Sequence, residues 1–237
     1  MKKILIALLF APLMAFASGA ALHLDKWPGS VSDKPALQNG AKLFVNYCLN
    51  CHGASYLRYN RLTELGLTEQ QIKDNLMFTA EKIGEQMRVA ANTAEQKAWF
   101  GAAPPDLTVI ARARASEHGS GADWLYSYLR GFYRDDNRPT GWNNVVFENV
   151  GMPHILWQLQ GEQVMNHETH KLELQTPGQL APKDYDKAVS DLVGFMVWMG
   201  EPMQEQRKTL GFAVLAFLAV LFVFAYKLKK EYWKDIH

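Results

Sequence analysis

Five consecutive residues, Cys48-Leu49-Asn50-Cys51-His52, carry the most chemistry in this chain, and Cys48 and Cys51 are its two cysteines. Two thiols three residues apart lie on one side of a helical turn. There they can add to the two vinyl groups of a haem, while the next residue, His52, offers an imidazole nitrogen to the iron. C-x-x-C-H is the spacing of c-type haem attachment. Three other chemistries compete for the same residues. A redox dithiol calls for a preceding strand and a βαβ unit, whereas Leu37 to Tyr47 carries helical spacing. A structural zinc site needs four ligands, usually from a second C-x-x-C or H-x-x-x-H. A disulfide would close a very short loop and constrain the unfolded chain little.

A haem with one protein ligand binds small molecules; with two it carries electrons. A methionine sulfur, soft and neutral, favours ferrous iron and raises the potential. Met77, Met87 and Met196 fall in helical patterns and read as core filler. Met152 lies in Val150-Gly151-Met152-Pro153, a loop about 100 residues after His52. Gly151 permits close backbone approach and Pro153 stiffens the exit. From spacing alone, His154, His118 and His167 stay open as alternatives to Met152.

These groups need elements to hold them. Asp33 reads as an N-cap with Pro35 in the first turn. Leu37, Ala41, Phe44, Val45 and Cys48 follow at helical spacing, so a first helix runs into the motif and ends by Gly53. A second helical region is expected from Thr68 to Ala94. Ala103-Pro104-Pro105-Asp106-Leu107 is a break and turn. Asp123 to Gly131 is a short aromatic helix with Trp124 and Tyr128, and Val145-Val146-Phe147 a short strand in a loop-rich stretch. Pro177 to Pro182 makes another turn, and Asp184 to Met199 an amphipathic helix.

The two ends address the chain to a membrane. Lys2 and Lys3, an apolar run from Ile4 to Phe16 and Ala15-Phe16-Ala17 form a secretory signal, residues 1–17. Leu210 to Tyr226 holds no charged residue and makes roughly 26 Å of helix, at the short end of a membrane span. Lys227, Lys229, Lys230 and Lys234 outnumber Arg207 and Lys208 as flanking cations, which puts the C-terminus in the cytoplasm. The expected organisation is a periplasmic domain at 18–208, an anchor at 209–226 and a cytoplasmic tail at 227–237, in a bacterial inner membrane. Export agrees with covalent haem attachment, which in bacteria happens outside that membrane.

The whole chain of 237 residues has a formal charge of +1. Without Lys2, Lys3, the four tail lysines, Glu231 and Asp235, 19 basic residues face 22 acidic ones, about −3 for the exported part. An acidic face can steer a basic partner, although so small a charge equally suits an ordinary solvated surface. No basic patch with interleaved aromatics points to nucleic acid.

The ordered segments resemble cytochrome c1, the haem-c subunit of quinol–cytochrome c oxidoreductase, in its bacterial form. The resemblance rests on Tyr47 to His52, the P-P-D-L of Pro104 to Leu107, Arg112-Ala113-Arg114, Val150-Gly151-Met152-Pro153, and Glu201-Pro202 followed by Arg207-Lys208 and the apolar run. It implies a mainly α, cytochrome-c-like haem domain with loop-rich insertions plus one C-terminal transmembrane helix. It implies one haem c held by Cys48 and Cys51, with His52 and Met152 as axial ligands and metal contacts. Arg114, with Arg112 beside it, would pair with a haem propionate, since a guanidinium binds a carboxylate as a fork. Pro104 and Pro105 would line the pocket. The implied partners are cytochrome b, a Rieske iron–sulfur protein that supplies the electron, a soluble cytochrome c that takes it, and membrane lipid, in a dimeric complex. The chain itself would make and break no substrate bonds. The runner-up is a membrane-anchored c-type cytochrome of another respiratory complex. Two departures stand out: no further cysteine exists for an extra disulfide, and the ligand loop reads G-M-P-H where mitochondrial members have A-M-A-P.

Overall fold

The computed structural model describes residues 23–166 and 168–235. The expected signal at 1–17 lies outside the described residues. Helix α1, Lys34–Leu43, begins where Asp33 Oδ1 accepts the Ala36 N–H at 3.1 Å, and Pro35 occupies its first turn. Its path continues through one π-helical stretch, Phe44–Cys48, directly into the haem motif. Strand β1, Ala54–Arg58, follows and pairs antiparallel with β2, Gln86–Met87. Between them lie a 3-10 stretch, Tyr59–Leu65, and helix α2, Glu69–Asn75, closed by a Thr68–Gln71 capping box.

The helical region expected over Thr68 to Ala94 is therefore mostly not helix. The Asn75 side chain bonds back to the Gln71 carbonyl, Leu76 leaves helical geometry, and Met87 pairs with Ala54 in the strand. Apolar spacing over a short window does not separate helix from strand, and the side-chain-to-backbone bond ends the helix early. A separate helix, α3, Thr93–Phe100, starts at the Asn92 capping box.

Helices α4, Ile110–Ala113, and α5, Gly121–Arg130, come next. Ser120 and Asp123 cap α5 reciprocally. Strands β3, Phe132–Arg134, and β4, Trp142–Asn144, form a two-stranded sheet. The strand expected at Val145 to Phe147 thus lies three residues earlier. Asn144 Oδ1 accepts the N–H groups of Val146 and Phe147, and this turn ends the strand. Helix α6, Trp157–Gln160, leads into an antiparallel hairpin of β5, Gly161–Asn166, and β6, Lys171–Pro177, over a stretch for which no element was expected.

Helix α7, Pro182–Gly200, is the platform of the domain. Helices α1, α4 and α5 all pack on it. Gly40 makes the α1 approach possible: a Cβ there would meet the Asp191 carbonyl oxygen at 2.1 Å. Phe44 and Phe195 carry the contact on, with ring centroids 5.5 Å apart. An N-terminal strap fastens the other side. Trp27 Nε1 donates to the Ser190 carbonyl at 3.0 Å, and Trp27 N–H donates to Asp123 Oδ1 at 2.8 Å. The fold is mainly helical, with three two-stranded sheets among the described residues.

Helix α8, Gln204–Tyr232, contains the whole apolar run and extends beyond it at both ends. Its 29 residues span about 43 Å, and its apolar window has no buried residue. A helix this apolar with nothing packed on it suits a lipid surrounding.

Candidate haem-attachment site

The motif turn is tight. Cys51 N–H and His52 N–H both donate to the Cys48 carbonyl, at 3.1 and 2.8 Å. Cys48 is buried and Cys51 half-buried, and both are free thiols. Burial, with a smaller effect from Cys51, pushes the Cys48 thiol up to about 12. A redox dithiol needs a thiolate, stabilised by a depressed pKa. Cys48 is the opposite, a buried and protonated thiol, and a helix leads into the motif where a dithiol site calls for a strand.

Pro105 decides which imidazole nitrogen is available. His52 Nδ1 lies 2.8 Å from the Pro105 carbonyl oxygen, which can only accept, so Nδ1 carries the proton. Nε2 then holds the lone pair. Desolvation lowers the His52 pKa, against raising effects from the Pro105 bond and the Asp106 charge, and keeps the ring neutral. A neutral imidazole with Nδ1–H pinned to a carbonyl is the usual state of a metal-ligating histidine.

The turn that supplies this carbonyl is itself tied down. Asp106 Oδ2 accepts Ser55 N–H at 2.8 Å and Oδ1 accepts Thr108 N–H at 2.9 Å. Desolvation alone would raise the Asp106 carboxyl, but the bonds from Thr108 and Ser55 hold it below the usual carboxylate range. Leu107 N–H donates to the Gly53 carbonyl at 2.8 Å. Pro104 is half-buried and Pro105 exposed. The motif and the Pro-Pro turn are therefore one unit.

Helix α5 organises a second group. Tyr128 O–H donates to Met152 Sδ at 3.5 Å. Its ring stacks on Trp124 at 4.7 Å and 13°, and the Arg114 guanidinium lies 4.4 Å over the Trp124 ring. Phe147 lies 5.6 Å from the same guanidinium. Burial pushes the Tyr128 hydroxyl up to about 12, so it stays protonated and can donate. The aromatic contacts go on from Tyr128 to Phe132 at 5.1 Å and from Phe132 to His154 at 4.8 Å. Sequence reading saw Tyr128 as part of an aromatic helix face and had no signal for its partner.

Arg114 and Arg112 have different fates. Among the described residues Arg114 has no carboxylate within ion-pair distance, and its guanidinium lies over the Trp124 ring, 4.4 Å from the centroid. Arg112 Nη1 is engaged with Glu201 Oε2 at 2.8 Å, at the junction with α8. Of the histidines left open by spacing, His154 is buried between Phe132 and Trp142, and its Nε2 meets no hydrogen-bond partner among the described residues. His118 lies beside Glu117 at 3.6 Å, and His167 lies outside the described residues. The residue types suit a covalently attached haem: two thiols, an imidazole with its proton on Nδ1, a thioether steadied by a hydroxyl and, among the described residues, a guanidinium without a carboxylate partner.

Comparison with known proteins agrees with this chemistry. The cytochrome C1 family model matches residues 25–236. The chain is 48% identical over 236 residues to the ammonia monooxygenase gamma subunit of Nitrosomonas europaea, covering 100% of this chain and 98% of that protein. It is 45% identical to cytochrome c1 of Allochromatium vinosum over the full length of both. To cytochrome c1 of Rhodospirillum rubrum it is 30% identical, over 92% of this chain and 89% of the other. The chain belongs to the cytochrome c1 family, the haem-carrying electron-transfer subunits of bc1 complexes.

Proposed function

We propose that this chain accepts one electron from a Rieske iron–sulfur protein and passes it to a soluble cytochrome c. The observation that carries the reading is the Nδ1–H bond from His52 to Pro105, which leaves Nε2 as a ligand beside two attachment thiols. When bound, haem c supplies a one-electron couple and the protein sets its potential and access. Cys48 and Cys51 would hold the group by thioethers. His52 and Met152 would be the axial ligands. The Pro105 carbonyl orients His52, and the Tyr128 hydroxyl steadies the Met152 sulfur. Arg114, with no carboxylate partner among the described residues and its guanidinium over Trp124, would receive a propionate. Arg112 is engaged by Glu201, which favours Arg114 for that role. The chain would sit beside cytochrome b in a dimeric complex of the bacterial inner membrane. Four lysines within the last eleven residues favour a cytoplasmic tail and a periplasmic haem domain.

Purification of the full-length chain from membranes tests the assignment. Co-isolation with cytochrome b, and a haem stain that survives denaturing electrophoresis, are the expected results. Isolation with another respiratory complex would overturn the partner assignment. Met152→Leu tests the sixth ligand: the low-spin spectrum and the potential change if Met152 binds iron, and an unchanged spectrum and potential would remove it from the ligand set.

A further inference from the structure

Helix α3 is held to the domain in an unusual way. Its one buried residue is polar: Gln96 is 5% exposed, while the neighbouring Trp99 and Phe100 are 64% and 54% exposed. The helix has no apolar face that would dock it. Instead Gln96 Nε2 donates to the Cys51 carbonyl at 2.9 Å. That carbonyl ends the haem-attachment turn, where helical carbonyls run out of backbone partners.

The consequence lies in the peptide unit joining Cys51 to His52. A peptide is planar, so fixing its carbonyl and its N–H fixes its plane. The carbonyl is held by Gln96, and the N–H is held by the Cys48 carbonyl at 2.8 Å. The imidazole beyond it is held at Nδ1 by the Pro105 carbonyl at 2.8 Å. Three segments thus restrain one histidine: its own turn and, about fifty residues later in the chain, α3 and the Pro-Pro turn.

We infer that Gln96 is a positioning residue for His52, acting through the Cys51 carbonyl to set the plane of the imidazole that faces the iron. The inference rests on Cys48, Cys51 and His52 being the haem site. Without the Gln96 amide the peptide is held only at its N–H, by the Cys48 carbonyl, so it can rock about that bond and carry with it the ring pinned at Nδ1 by Pro105. The plane of an axial imidazole sets the splitting of the iron orbitals in the ferric low-spin state. It therefore appears in the electron paramagnetic resonance g values as well as in the potential.

Two near-isosteric substitutions in the full-length chain, isolated in its assembled complex, test this. Gln96→Met keeps length, volume and helix propensity and loses the donor. Gln96→Glu keeps the shape and turns an acceptor toward an acceptor. Both are expected to keep the wild-type covalent haem stain and to move the largest g value. Both should also shift the midpoint by the equivalent of about a two- to tenfold change in the reduced-to-oxidised ratio, glutamate more than methionine. Unchanged g values and midpoint in both variants, with full haem, would overturn the inference. If glutamate prevents accumulation, methionine alone decides. If neither variant retains haem, Gln96 serves folding and not orientation, and the inference is overturned as well. Failure of the underlying haem reading shows elsewhere, as a missing covalent stain in the unsubstituted chain.

Discussion

Tyr128 shows how one hydroxyl can matter to the sulfur of Met152. The phenol is buried, its pKa is pushed up to about 12, and its O–H points at Sδ. A hydrogen bond donated to the sulfur draws electron density from it, which favours the reduced state of a metal it binds. Tyr128→Phe keeps the ring against Trp124 and Phe132 and removes the donor. The expected outcome in a potentiometric titration is a lower midpoint, equivalent to about a two- to tenfold change in the oxidised-to-reduced ratio, with the low-spin spectrum retained. At Gly40 the effect is steric. A methyl group would collide with the Asp191 carbonyl, so Gly40→Ala should destabilise the α1–α7 contact by about 1–3 kcal/mol, read as a lower melting temperature of the detergent-solubilised protein.

Helix α5 carries Tyr128, Trp124 and the cap that fixes its entry. Asp123 accepts Trp27 N–H and Ser120 N–H, so it caps the helix and fastens the N-terminal strap. Desolvation would raise its carboxyl, but the bonds from Trp27 and Ser120 outweigh it and hold the pKa below the ordinary 3.8. The folded state therefore binds this proton less readily than the unfolded chain. The stability Asp123 contributes is present above the unfolded value and is lost as pH falls through the lower folded one. Asp123→Asn should cost about 1 kcal/mol near neutral pH and flatten the acid-induced loss of stability below about pH 4, in an acid titration followed by near-ultraviolet circular dichroism. On the neighbouring element, Asn144 is buried, with its amide on the Tyr128 carbonyl and its oxygen on Val146 and Phe147. The turn it builds starts the loop that carries Met152.

At the scale of the molecule, the domain and its anchor meet at a charged joint. Glu201 binds both Arg112, from α4, and Arg207, from the first turns of α8. The apolar span of α8 leans on nothing in the domain. Ending the chain after Met203 should therefore leave the haem domain folded and move it from the membrane pellet to the soluble fraction in a carbonate wash. A domain that stays in the pellet would show that it binds the membrane by another surface. Exposed ion pairs contribute little to stability, so Arg112→Gln should leave the melting temperature nearly unchanged and accelerate limited proteolysis at the joint.

The features legible in the residues are local ones. The haem pentapeptide, the Asp33 cap, the Pro-Pro turn and the uncharged run of the anchor each announce themselves within a few positions, because a motif, a cap or a span is defined by near neighbours. The first helix, α5, α7 and α8 were readable for this reason. The region from Thr68 to Ala94 was not, since an apolar period over a few residues fits both α2 and the short strand that holds Met87. The β5–β6 hairpin alternates only over Lys171-Leu172-Glu173-Leu174-Gln175, and with β6 largely exposed that pattern marks no core face. Three hydrogen bonds of the candidate site join residues 53, 45 and 24 positions apart, from His52 to Pro105, Gln96 to Cys51 and Tyr128 to Met152. No periodicity encodes such pairs. They exist because α1, α4 and α5 all pack on α7 and because two turns are pinned by their own side chains. Spacing named the candidate groups, and packing decided which His52 nitrogen meets Pro105, which hydroxyl meets Met152 and which arginine lies over Trp124.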